Sequence, residues 1–89
     1  MSSKKVTVCN ELGVHARAAA AFVRLSNVFE CDVWVSSGDV EVDGKSIMGV
    51  MMLAAAKGSE LLIRAEGTDS QEAVDQLSKL VSDRFGEEK

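Results

Sequence analysis

The sequence predicts an α+β fold, a two-layer open-faced sandwich with elements in the order β-α-β-β-α-β-α. Three observations carry that prediction. The hydrophobic spacing switches several times between a period of two and a period near 3.6. Each helical segment is apolar along one stripe only, so the helices need a single sheet face to bury against. A tight-turn signature, Ser37-Gly38-Asp39, joins two short alternating runs.

Taken in order, Lys5-Val6-Thr7-Val8-Cys9 alternates and is β-branched, which predicts a first strand. Glu11-Leu12-Gly13 interrupts it. From Ala16 the spacing turns helical: Ala16, Ala19, Ala20 and Val23 share a face with Phe22, while Arg17 and Arg24 lie on the other, to about Asn27. Asp32 to Ser36 alternates again and turns into Val40-Glu41-Val42, a hairpin closed by Asp43-Gly44. Ile47, Val50, Met51 and Ala54 have the spacing of a shorter helix that Lys57-Gly58 would stop. Leu61 to Ala65 predicts the fourth strand. Asp69 with Glu72 forms an aspartate version of the capping box. Ala73, Leu77, Leu80 and Arg84, flanked by Val74 and Val81, make the last helix. Trp34 and Leu62 point away from their apolar neighbours and belong on the uncovered sheet face.

Composition bounds the function. The 89 residues suit one domain over 1–89, and 46% apolar content supports a packed core. Proline is absent, so Gly, Asn, Asp and Ser must shape the loops. A net charge of -4 with no basic run longer than Lys4-Lys5 argues against nucleic acid as a ligand. The longest nearly uncharged stretch, Ser46 to Ala56, is too short to span a bilayer, so no membrane insertion is expected and the chain reads as cytoplasmic. Cys9 and Cys31 read as two small buried or half-buried thiols rather than a bridge. Two cysteines and one histidine, without C-x-x-C spacing, do not suggest a metal site.

The most informative stretch is Gly13-Val14-His15-Ala16-Arg17-Ala18. A helix starting near Ala16 should carry Ser, Thr, Asp or Asn at its cap, yet none is present and no carboxylate lies in its first turn. An open helix N-terminus is an anion site, built here from the backbone of Ala16, Arg17 and Ala18. Arg17 adds a planar fork that matches phosphate oxygens. His15, the one histidine, supplies an imidazole nitrogen able to hold a labile phosphoryl group. Gly13 frees the backbone to bring that ring over the helix end. Ser46, just before the second helix, reads as its N-cap. Met48 and Met52 lie off the apolar stripe that includes Met51, and exposed methionines suit a surface that meets several partners.

Gly13-Val14-His15-Ala16-Arg17-Ala18-Ala19 resembles the active-site signature of the HPr family, the histidine-containing phosphocarriers of the bacterial phosphoenolpyruvate-dependent sugar phosphotransferase system. Lys45-Ser46-Ile47-Met48-Gly49-Val50-Met51 resembles that family's regulatory serine motif, about 30 residues further on. The element order is similar over essentially the whole chain. The resemblance implies an antiparallel sheet of strand order 1-4-2-3, which separates Cys9 from Cys31. It implies that His15 accepts phosphoryl on Nδ1 from enzyme I and passes it to the A domains of enzymes II, with Arg17 stabilising the phosphate. Ser46 would be the target of an HPr kinase/phosphorylase, and Met48, Met51 and Met52 would belong to the docking surface. Such a protein is a monomeric carrier, neither a turnover enzyme nor dependent on a cofactor. An HPr-like regulatory paralogue, in a catabolite or nitrogen-related chain, is the alternative. A small metabolite-binding regulatory domain would leave the His-Ala-Arg site unexplained. Ala18 stands where the family usually has proline, which implies retained transfer from a slightly looser site.

Overall fold

Side-chain alternation along the strands decides which sheet face the helices cover. The computed structural model describes residues 1–89. Its elements are β1 (Ser2–Thr7), α1 (Ala16–Ser26), β2 (Asp32–Ser37), β3 (Val40–Asp43), α2 (Ile47–Met52), β4 (Glu60–Glu66) and α3 (Ser70–Ser82), followed by a 3₁₀ turn at Arg84–Gly86. The sheet is antiparallel throughout with strand order β1-β4-β2-β3. This is the open-faced sandwich that the sequence predicts.

Val33 and Val35 of β2 and Leu61, Ile63 and Ala65 of β4 are buried beneath the helices. Phe22 and Val23 of α1 and Val74, Leu77 and Val81 of α3 close the core over them. Each Val, Leu, Ile or Phe among them contributes about 1.5–3 kcal/mol when fully buried. Trp34 and Leu62 lie on the other face and are half-buried, as the alternation requires. There Trp34 pairs in register with Arg64, whose guanidinium lies 5.1 Å from the ring centroid and also binds Glu41.

Four local expectations need correction. The first strand begins and ends earlier than its alternation suggests, because β4 supplies pairing partners for Ser2, Ser3 and Lys4. Cys9 falls beyond it, and its thiol faces the Val81 and Ser82 carbonyls. Both cysteines are free.

The second helix is shorter than its stripe. Only Val50 within α2 is buried, Ile47 and Met51 are partly exposed, and Leu53 at the C-cap turns into the core. Ala54, expected on the helix, is exposed with a left-handed backbone (φ 48°). That turn leads into Ala55, whose carbonyl accepts the Val14 N–H at 2.9 Å. A tertiary hydrogen bond thus accompanies an early end to the helix.

Asp69 does not cap α3. Its carboxylate accepts from the backbone N–H groups of Glu30 (2.9 Å) and Cys31 (3.0 Å), tying the start of α3 to the α1–β2 loop. The Glu30 N–H holds this carboxyl below the usual carboxylate range; partial burial opposes it, and the Cys31 thiol and N–H reinforce it. Burial, with Asp69 beside it, pushes the Cys31 thiol up, so it stays protonated at neutral pH. A carboxyl whose folded pKa is lowered stabilises the fold fully above its unfolded value and loses that contribution as pH falls through the folded one. The melting temperature should therefore start to drop below about pH 4. Asp69→Asn should flatten part of that drop in a circular-dichroism titration; identical pH profiles would refute the link.

Arg84 does not extend the last helix. α3 stops at Ser82, and Arg84 and Phe85 adopt left-handed conformations (φ 60° and 55°) before Gly86 (φ 82°). Left-handed backbone costs about 1–2 kcal/mol per non-glycine residue. Burial of the Phe85 ring offsets that cost.

Candidate functional site

α1 begins without a cap. His15 occupies the N-cap with an extended backbone (φ -89°, ψ -178°), its side chain makes no capping hydrogen bond, and no acidic residue lies in the first turn. The first bond closed across the helix start runs from the Ala19 N–H to the His15 carbonyl, 2.8 Å. The N–H groups of Ala16, Arg17 and Ala18 therefore have no acceptor within the helix, and they add to the positive end of its dipole. Arg17 is exposed beside them and forms no ion pair. Ala18 is the third helical residue and is fully buried. An alanine here keeps a donor that proline would lack.

The loop from β1 holds the ring in place through Gly13. Gly13 is left-handed (φ 67°), and its carbonyl accepts from the His15 N–H at 3.1 Å and from Asn10 Nδ2 at 2.8 Å. Val14, the next residue, is buried and locked to Ala55. Gly13 thus sets the angle at which the chain enters α1.

One member of the site was not visible in the sequence. The Glu87 carboxylate contacts His15 Nε2 through one oxygen and accepts from Asn10 Nδ2 at 2.9 Å through the other. The two side chains keep 29% (His15) and 16% (Glu87) of their surface exposed, so the contact is sheltered but reachable. Burial works to raise the Glu87 carboxyl. Hydrogen bonds from Asn10 and His15, with the charges of His15 and Arg17, outweigh it and hold the group below the usual carboxylate range. A shallow cleft of about 550 Å³ opens beside Glu87, lined by Arg17, Leu12 and Phe85 among others.

Ser46 caps α2 as expected: its Oγ accepts the Gly49 N–H at 3.1 Å. Met48 and Met52 are 77% and 71% exposed, which rules out a core role, and Met51 is partly exposed beside them.

The arrangement places a nucleophilic imidazole and a guanidinium at a helix end whose donors are free. Fold and site together define a small carrier of a negatively charged group. The family model "PTS HPr component phosphorylation site" matches residues 2–83. The phosphocarrier protein HPr of Neisseria meningitidis is 44% identical over 87 residues, 98% of each chain. The crystal structure of HPr-C-His from Thermoanaerobacter tengcongensis superposes with a TM-score of 0.94 at 38% identity, covering 100% of both chains. Crh, the Bacillus subtilis catabolite repression protein crystallised as a domain-swapped dimer, gives a TM-score of 0.76 at 40% identity, covering 94% of this chain and 97% of Crh. The chain belongs to the HPr family, the phosphocarrier proteins of the bacterial phosphotransferase system. No helix is long and apolar enough to cross a membrane.

Proposed function

We propose that the protein carries a phosphoryl group on His15 Nδ1, received from enzyme I charged by phosphoenolpyruvate and passed to the A domains of enzymes II. The uncapped start of α1 carries this reading: the free N–H groups of the exposed residues Ala16 and Arg17, with the Arg17 guanidinium, lie at the helix end where phosphate oxygens would sit. The buried Ala18 N–H adds to the dipole behind them. Transfer replaces one P–N bond by another, so the site needs positioning and charge stabilisation rather than a further reactant. The protein acts as a monomeric cytoplasmic carrier without a cofactor, and turnover belongs to its partners.

Ser46 is the regulatory position in the same reading. An HPr kinase/phosphorylase would add about -1.5 to -2 charges at the start of α2, where oriented N–H groups tolerate them. The effect falls on docking through the exposed Met48, Met51 and Met52, which lie on the helix that Ser46 caps.

Incubation with enzyme I and labelled phosphoenolpyruvate tests the carrier reading. Acid-labile label on His15, absent from His15→Ala, is the expected result. A wild-type chain that takes no label overturns the carrier reading. That outcome favours a regulatory paralogue acting through Ser46.

A further inference from the structure

Glu87 lies 72 positions from His15 along the chain, and the fold goes to some length to bring it there. Three consecutive left-handed residues, Arg84, Phe85 and Gly86, reverse the backbone after α3. Phe85 is buried at that reversal and anchors it. Asn10 is also fully buried, and its amide divides its two hydrogens between the Gly13 carbonyl and Glu87 Oε1. The carboxylate is thereby fixed to the same loop that carries His15.

An ionised carboxylate can only accept hydrogen bonds, so the ring nitrogen that faces it must hold a hydrogen. That nitrogen is Nε2. A neutral imidazole has one ring hydrogen, and with it on Nε2 the lone pair is left on Nδ1. No group of the protein hydrogen-bonds Nδ1. We infer that Glu87 is a positioning residue, which fixes His15 as the Nε2–H tautomer and presents Nδ1 as the nucleophile. The inference rests on the phosphocarrier reading for the identity of the incoming group.

The electron count is consistent. The Nδ1 lone pair attacks phosphorus, the bond from phosphorus to the donor atom breaks, and its electron pair returns to the donor. The hydrogen on Nε2 stays, so the ring becomes a phosphoimidazolium whose positive charge faces Glu87. Onward transfer breaks the P–Nδ1 bond and returns its pair to Nδ1, leaving neutral imidazole. No proton enters or leaves the ring in either direction. A carboxylate that merely occupied the phosphate's place would sit at Nδ1 and the helix end, and Glu87 sits at the opposite nitrogen.

Nitrogen-15 NMR of the histidine ring in the full chain, at a pH where the ring is neutral, reads the tautomer without any phosphate. Wild type should show a single Nε2–H tautomer with a downfield, exchange-protected proton. Glu87→Ala should lose that protection and populate both tautomers. Glu87→Leu, which keeps the bulk but offers no acceptor, should do the same. Phosphoryl acceptance from enzyme I should fall about tenfold in both variants, the low end of the loss seen when the partner that orients a metal-bound histidine is removed. Glu88→Ala, altering the exposed neighbour, should match wild type in both measurements.

An unchanged tautomer in Glu87→Ala overturns the inference, and so does acceptance as fast as or faster than wild type. If Glu87→Ala fails to fold, Glu87→Leu that keeps a single, protected Nε2–H tautomer does the same. Wild type that takes no label sinks the carrier reading while the tautomer measurement still stands. Full labelling of Glu87→Ala at the wild-type rate sinks only the role of Glu87.

Discussion

Gly13→Ala should lower the stability of the fold by about 3 kcal/mol, combining left-handed strain with a displaced hydrogen bond. A β-carbon at this position would lie 2.4 Å from the Ala55 carbonyl oxygen and 3.0 Å from Ala56 Cα, both backbone atoms that cannot swing aside. The Ala55 oxygen is the acceptor that holds Val14, so relief of the clash breaks the contact between the His15 loop and the segment after α2. For a domain of this size the melting temperature should fall by roughly 12–24 °C. Thermal denaturation measures the loss, and the His15 ring should lose its fixed position as well. Gly38→Ala is a fitting control: it too is left-handed (φ 60°), but a β-carbon there meets nothing within 4 Å. Equal losses in the two variants would show that backbone strain alone, and not the Ala55 clash, sets the effect.

Arg17→Ala should leave stability nearly untouched and slow phosphoryl transfer by about 10²-fold. That magnitude is typical when one preorganised donor to a developing anion is removed. The side chain is exposed and pairs with no carboxylate, so its loss leaves no buried charge behind. Arg17→Lys should restore only part of the rate, because an ammonium supplies charge without the planar fork. Single-turnover transfer from charged enzyme I reads the rate, and a melting curve reads the stability. A rate within twofold of wild type in Arg17→Ala would remove Arg17 from the site. A large drop in melting temperature would instead make it a structural residue.

Elements whose signal lies within a few residues were legible in the sequence. The β-α-β-β-α-β-α order, the covered faces of β2 and β4, the bare start of α1 and the Ser46 cap all depend on spacing or on one turn of chain. Helix α2 shows where such reasoning fails. Ile47, Val50, Met51 and Ala54 have helical spacing, yet the helix stops at Met52 and the backbone turns at Ala54. Spacing describes what a segment favours alone; it does not register a hydrogen bond from Val14 to Ala55. Asp69 is a similar case. Its box with Glu72 is locally sound, but two unpaired N–H groups on the α1–β2 loop compete for the same oxygens and win.

The sequence by itself determined the fold class and put His15 and Arg17 at an open helix end, because helix caps and hydrophobic periods are written over short distances. Only the tertiary structure decided what the other side of the His15 ring faces. Glu87 reaches it across 72 positions, through a buried Phe85, three left-handed residues and a buried Asn10. None of these has a local pattern that points to a histidine so far away. Packing brings Glu87 onto the loop that carries His15, and a contact of that range exists only once the core has formed.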